Sequence, residues 1–178
     1  MNLIERVILV DRLDNMTGTM EKMGAHRLGV LHRAFSVFIF NKKGELLLQQ
    51  RALDKYHSGG KWTNTCCSHP NPGEETLNAA HRRLNEEMGM ESELHYAFNF
   101  IYQAVFEDGI SEHEFDHVFW GISDNAPTPE PTEVAAFKFM SMEELATDLK
   151  LNPGRYTAWL KICFDRVMES YHQIFNLE

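Results

Sequence analysis

The sequence predicts an α/β (α+β) fold, a mixed β-sheet sandwiched between helices, and three observations carry that expectation. Two apolar runs, Ala34 to Phe40 and Glu45 to Gln50, hold their apolar residues on consecutive positions, which marks strands covered on both faces. Leu77, Ala80, Leu84 and Met88 recur at intervals of three, four and four, one apolar stripe on a helix expected over about Thr76 to Met88. Extended segments near Glu93 to Phe106 and Phe115 to Ser123 then add strands after that helix. With 178 residues, the chain is expected to form a single domain over 1–178 with a real core.

In chain order, Asn41-Lys42-Lys43-Gly44 separates the two apolar runs and reads as the turn of a hairpin. A polar loop from Ala52 to Glu75, rich in Gly, Pro and Asn, leads into the helix, where Arg83 and Glu87 lie one turn apart on a face of their own. Pro127, Pro129 and Pro131 mark an irregular connection after the later strands. Ser141 with Glu144 makes a capping-box pattern that opens a short helix ending near Lys150. The last helix is expected from Pro153, a residue suited to a first turn, to about Ile174. No internal repeat or low-complexity tract is visible.

The formal charge of -9 argues against a general nucleic-acid binder, since a phosphate backbone demands a basic face. A small anionic substrate remains compatible, because a few cations focused in a cleft outweigh a distant net charge. Met1-Asn2-Leu3-Ile4-Glu5-Arg6-Val7 lacks the basic start and long apolar stretch of a signal peptide, and no segment is long and apolar enough to span a bilayer. Cys66, Cys67 and Cys163 are an odd set without zinc-finger spacing, so a reduced, cytoplasmic setting is expected. A monomer or weak homodimer is expected, without membrane or nucleic-acid partners.

Chemistry concentrates around Thr63-Asn64-Thr65-Cys66-Cys67-Ser68-His69-Pro70. From Ser68 the chain runs Ser68-(five)-Glu74-(seven)-Arg82-Arg83-Leu84-(one)-Glu86-Glu87-(one)-Gly89-Met90. That frame resembles a Nudix box, whose loop and helix hold divalent metals against a diphosphate. Two positions depart from it: Ser68 stands where glycine is expected, and Arg83 where the box has a glutamate. Arginine stays protonated and repels a cation, but it grips a phosphate bidentately. The frame therefore points to a protein that binds a diphosphate without hydrolysing it.

Three further strings, Leu31-His32-Arg33-Ala34-Phe35-Ser36-Val37-Phe38, Gln49-Gln50-Arg51-Ala52 and Glu112-His113-Glu114, join Trp62 to Pro70 in this order. Together they resemble the type I isopentenyl-diphosphate isomerases from about residue 5 to about residue 165. The resemblance implies a Nudix-like mixed sheet between helices, and a reaction that interconverts isopentenyl diphosphate and dimethylallyl diphosphate.

Strand alternation puts Glu112 and Glu114 on one face and His113 on the other. On spacing alone, these carboxylates with His26, His32 and His69 read as a solvated acidic edge and scattered surface histidines. The resemblance implies instead that all five hold one metal, and such a donor set suits Mn, Fe or Zn better than Mg. Cys66 reads as a small buried hydrophobe. Cys67 shares the face of His69 in an extended stretch, near a cation that favours thiolate, and the family match also selects it.

Lys22, Arg51, Lys55 and Arg83 read singly as solvated charges, except Arg51, which ends an apolar strand. The resemblance implies that they hold the diphosphate. It also implies that Glu87 and the Cys67 carbonyl bind a Mg ion carried by the substrate. Tyr102 and Trp159 pass for core aromatics by spacing and close the site by resemblance. In that reading Glu114 is the acid and Cys67 removes the proton, while Tyr102 orients Glu114 and Trp159 faces a carbocation. A Nudix hydrolase of nucleoside diphosphate derivatives and a non-catalytic diphosphate-binding protein stay open beside it.

Overall fold

The first elements are an antiparallel pair, β1 (Arg6–Val10) and β2 (Met16–Glu21), followed by a short helix of about two turns, α1 (Lys22–Leu28), that ends on Gly29 in the left-handed region. The computed structural model describes residues 5–106 and 109–176, so Met1 to Ile4 and the last residues of the expected 1–178 unit lie outside it. β3 (His32–Phe40), β4 (Leu46–Arg51), β5 (Trp62–Thr63) and β6 (Cys66–Ser68) come next, then helix α2 (Thr76–Met88). β7 (His95–Val105), β8 (Ser111–Ile122) and β9 (Val134–Met140) complete the mixed sheet. Helices α3 (Met142–Leu151) and α4 (Ala158–Ile174) close the described chain.

The consecutive apolar residues of β3 are explained by two cores. Phe38 and Phe40 join Leu46 and Leu48 against Met142 of α3 and Leu160 of α4. Phe35, Val37 and Ile39 face the other way, onto Ala80, Leu84 and Met88 of α2. Leu77 falls outside that contact and is 39% exposed, while Ala79 takes a buried place beside Ala80. The expected stripe is thus displaced by part of a turn at its start.

The hairpin at Asn41 to Gly44 forms, yet its two strands meet only at Phe40↔Leu46. Beyond that point β3 runs parallel to β8, from His32↔Glu114 to Phe40↔Ile122, and antiparallel to β6, with Ser36↔Cys67 in register. β4 turns to β9 and β5 instead. Each strand, apolar on both faces, finds longer pairing elsewhere than along a two-strand ribbon.

The expected last helix is also interrupted. Pro153–Arg155 forms a short 3-10 turn, then Tyr156 and Thr157 are extended before α4 begins. Thr157 donates its N–H to the Trp62 carbonyl at 3.0 Å and its hydroxyl lies 2.9 Å from Thr63 Oγ1, so tertiary pairing to β5 breaks the helix. Ser141 and Glu144 make the expected capping box at the start of α3. Among the described residues no helix is long and apolar enough to cross a membrane.

Gly89 ends α2 at φ 59°, and a Cβ there would lie 2.4 Å from the Thr128 carbonyl oxygen. Gly89→Ala is expected to lower unfolding free energy by about 2–3 kcal/mol, through left-handed strain and that contact. Urea unfolding monitored by circular dichroism checks this; an unchanged midpoint would mean that the loop simply moves aside.

Candidate active site

β8 places Glu112, Glu114 and Asp116 on one face, where they are all buried. Three carboxylates in a row cannot all stay ionised there without protons or cations beside them. Tyr102 lies opposite Glu114 in the β7–β8 register, and its hydroxyl is 2.5 Å from Glu112 Oε2 and 2.6 Å from Glu114 Oε2. A phenol has one O–H to donate, so the second short contact calls for a proton on one of the two carboxyls. Ser36 donates its hydroxyl to Asp116 Oδ2 at 2.7 Å. Burial first, and then Glu114, push the Asp116 carboxyl well above its usual range.

Imidazoles surround the Glu114 end. His69 Nε2 is 2.9 Å and His32 Nε2 3.6 Å from the same oxygen, Glu114 Oε1. Burial pushes the Glu114 carboxyl up, but these two histidines outweigh it and hold the group well below the usual carboxylate range. Burial also drives His69 down to about 3, toward the neutral ring that binds metal. His26 comes from α1, its ring centroid 4.9 Å from that of His32 and 5.6 Å from that of His69.

Backbone carbonyls set two of the tautomers. His26 Nδ1 donates to Lys22 O at 2.7 Å and His32 Nδ1 to Val30 O at 2.8 Å, leaving each Nε2 lone pair bare. Both of these Nε2 atoms are buried without a hydrogen-bond partner. The donor atoms of His26, His32, His69 and Glu114 all lie within 4.8 Å of one another. Three nitrogens, one carboxylate oxygen and orphaned lone pairs fit a divalent transition metal. Glu112 sits beside this set, joined to Glu114 through the Tyr102 hydroxyl and grouped within the same limit with His26 and His57.

Cys66 is fully buried in the core, whereas Cys67 faces the cavity. Strand alternation in β6 separates the two. Cys67 Sγ donates to Asn64 Oδ1 at 3.0 Å and lies 3.5 Å from Ser36 Oγ. The protein's own groups favour the protonated thiol, so the expected thiolate depends on a bound cation. Burial, then Asp116, push the thiol upward, and the Ser36 hydroxyl offsets this only in part.

A cavity of about 260 Å³ unites most of the expected residues. Cys67, His69, Glu87, Tyr102, Glu112, Glu114 and Trp159 line it, as do Lys22, Arg51, Lys55 and Arg83. Lys22 pairs with Glu5 at 2.9 Å, and Lys55 pairs with Glu133. Arg83 reaches Glu87 and Glu86 at 2.7 Å and Glu133 at 3.2 Å. Its expected i,i+4 partnership with Glu87 is present, and Glu87 also accepts from Gln49 Nε2 at 2.9 Å. The Arg51 guanidinium sits 5.4 Å from the centre of the Trp159 ring, which is 3% exposed.

Several cavity residues escape the sequence reading, among them Ser36, Tyr56, His57, Asp116 and Glu133. Asp116 was within reach, two residues beyond Glu114 on the same strand face. His57 and Glu133 sit outside regular strands and carry no periodic signal.

Residues 30–160 match the NUDIX domain model. The Isopentenyl-diphosphate Delta-isomerase of Pectobacterium atrosepticum is 49% identical over 175 residues, covering 98% of this chain and 97% of that protein. The chain belongs to the isopentenyl-diphosphate Delta-isomerase family. Isopentenyl-diphosphate Delta-isomerase 2 of Aromatoleum aromaticum is 51% identical over 164 residues, 92% of this chain and 87% of its own length. Among solved structures, DR0079 from Deinococcus radiodurans superposes with a TM-score of 0.77 over 91% of this chain and 98% of its own, at 19% identity. The MutT protein of Methanosarcina mazei Go1 gives 0.65 over 79% and 94%, at 20% identity. These two share the fold. In this member of the isomerase family, the NUDIX scaffold carries arginine at position 83 and a histidine-rich pocket under β8.

The purified protein is expected to hold about one equivalent of divalent transition metal that a chelator removes, and His32→Ala and His69→Ala should each lose most of it. Elemental analysis after gel filtration measures this. Full loading of both variants would remove these histidines from the metal set.

Proposed function

We propose that the chain is an isopentenyl-diphosphate Delta-isomerase that interconverts isopentenyl diphosphate and dimethylallyl diphosphate for isoprenoid synthesis. One observation carries the reading: Cys67 and the Tyr102-bound Glu114 face a single cavity whose helix presents Arg83 where a hydrolase needs a carboxylate. Moving the double bond requires one group to protonate the terminal alkene carbon. Positive charge then develops on the adjacent tertiary carbon, and a second group removes a proton from the carbon on its far side. Water must be kept out of that cavity, because it would trap the cation.

Glu114, carrying the proton that the paired Tyr102 contacts call for, is the acid in the forward direction, and Cys67, ionised beside the bound cation, accepts the proton; the roles exchange in reverse. Tyr102 orients Glu114 through its 2.6 Å contact. Trp159 offers its ring to the cation, and its nearness to the Arg51 guanidinium supports that use of the face. Arg51, Lys55, Arg83 and Lys22 take the diphosphate, displacing the glutamates that now pair with Lys22, Lys55 and Arg83.

The resident ion is Mn, Zn or Fe, held by His26, His32, His69 and Glu114, with Glu112 beside them. When bound, it draws electron density from Glu114 and strengthens that acid. A Mg ion accompanying the diphosphate is read at Glu87 and the Cys67 carbonyl. Free Cys66, Cys67 and Cys163 support a reduced, cytoplasmic setting. One Nudix-type domain working as a monomer or weak homodimer on a small-molecule substrate completes the reading.

Incubation with isopentenyl diphosphate should yield an allylic isomer and no free phosphate. Released phosphate without isomer would favour a hydrolase. Cys67→Ala should abolish isomerisation with metal content and fold intact, while Cys66→Ala stays active; full activity in Cys67→Ala would remove the proton acceptor from the mechanism. Arg83→Ala should raise KM roughly tenfold to a hundredfold, the loss of about 1.5–3 kcal/mol from one charge-assisted contact, with kcat moving less. A stable variant with unchanged KM would leave Arg83 as a partner of Glu87 only.

A further inference from the structure

Asn64 has no part in the chemistry above, yet every hydrogen-bonding position of its amide is filled. Its Nδ2 donates to the Val37 carbonyl at 3.1 Å and to the Cys66 carbonyl at 3.0 Å. Two acceptors on the nitrogen settle which end of the amide is oxygen. That oxygen accepts from Cys67 Sγ at 3.0 Å and from Thr63 Oγ1 at 2.9 Å. Asn64 is fully buried and stands behind the cavity wall to which Cys67 belongs, so the sulfur has this oxygen at its back. The other polar neighbour of the sulfur is a weaker partner. Ser36 Oγ lies 3.5 Å away, and its own hydrogen goes to Asp116.

Thr157 extends the line. It holds the N-cap position of α4, where a threonine hydroxyl ordinarily accepts from a free helix N–H. Here the hydroxyl makes no cap bond and donates to Thr63 Oγ1 at 2.9 Å. Thr63 and Thr157 are as deeply buried as Asn64. Two residues beyond Thr157, Trp159 meets the cavity. The seat of the helix that carries Trp159 and the aim of Cys67 are therefore joined by one buried line, Thr157 to Thr63 to Asn64 to Cys67.

We propose that Asn64 is a positioning residue for proton transfer at Cys67. Its oxygen holds the thiol hydrogen on the side away from the substrate and keeps the sulfur aimed into the cavity, while Thr63 and Thr157 hold that oxygen in place. The role rests on the isomerase reading above. In the forward direction a sulfur lone pair takes the proton, and the C–H electron pair becomes the new double bond. The S–H just formed then turns to Asn64 Oδ1, which is the bond seen in the structure. Without that oxygen the sulfur is free to rotate away from the line of the reacting C–H bond, and such misplacement slows chemistry more than it weakens binding.

The test compares serine with valine at positions 63 and 157 in the full-length protein. Valine keeps the volume of threonine and loses the hydroxyl; serine keeps the hydroxyl and loses a methyl. Packing alone makes serine the more harmful of the two, whereas the hydrogen-bonded line makes valine so. Per folded molecule of the metal-loaded protein, Thr63→Val should lower kcat roughly tenfold with KM moving less than about twofold, and Thr63→Ser should recover most of it. Thr157→Val and Thr157→Ser should follow the same order to a smaller extent. Asn64→Ala should lower kcat roughly a hundredfold. The threonine variants keep the test usable if Asn64→Ala does not fold, since they leave the Val37 and Cys66 carbonyls paired. A second readout needs no turnover: the infrared S–H stretch of Cys67 in the substrate-free protein, isolated by subtracting the spectrum of Cys67→Ala. Thr63→Val and Asn64→Ala should move it to higher frequency, as a weakened hydrogen bond does. Unchanged kcat in folded Thr63→Val, or serine worse than valine, overturns the positioning role and leaves the isomerase reading standing. A wild type without a Cys67 S–H band, or with one that these variants do not move, overturns it as well. A wild type that makes no isomer overturns the isomerase reading and this role with it.

Discussion

Burying Glu112, Glu114 and Asp116 on one face of a single strand is the constraint to which the rest of the site answers. Each neighbouring element contributes a group that makes one of these acids tolerable. β7 supplies the Tyr102 hydroxyl to two of them, β3 supplies Ser36 to the third, and His32 and His69 converge on Glu114 Oε1. The same crowding leaves imidazole lone pairs without partners, which is what a metal site looks like when described by its donors. In the proposed reaction, the acid that protonates the alkene and the dry pocket that protects the carbocation both lie at this cluster of buried carboxylates.

The opposite wall obeys a different rule. Its cations are not left bare: Glu5 holds Lys22, while Glu133 holds both Lys55 and Arg83. Burial pushes the Arg83 guanidinium down, but the Glu87 and Glu133 carboxylates outweigh it and keep the charge. A permanent cation at this helix position cannot itself act as a base, and in the proposed reading it grips an anion. The net charge of -9 is no obstacle, since field at the cavity is set by these few side chains.

Much of the fold was legible because its signals are local. The stripe Ala80, Leu84 and Met88 gives α2, and Ser141 with Glu144 gives the start of α3. Consecutive apolar residues in β3 announced two covered faces, and two cores occupy them. Where local pattern misled, a distant segment had won. β3 abandons β4 for β8, and Thr157 stops a helix to bond with Trp62 and Thr63. Those energies belong to pairs of segments far apart in the chain, so neither segment's pattern contains them.

The sequence by itself determined the family, the chemical types available and their side of each strand. Period-two alternation separates Cys66 from Cys67 and sets Glu112 with Glu114, whatever the partners prove to be. Arg83 in the box's glutamate position likewise needs no coordinates to exclude the usual hydrolytic base. Tertiary structure alone decided which donors meet. His26, His32, His69 and Glu114 converge only because β3 runs parallel to β8 with His32 beside Glu114, and because α1 delivers His26 to the same spot. It also sent Glu112 toward His57, a loop residue with no periodicity to betray it. Convergence of lone pairs depends on strand register and loop packing to within an ångström or two, and spacing along a chain carries no such measure.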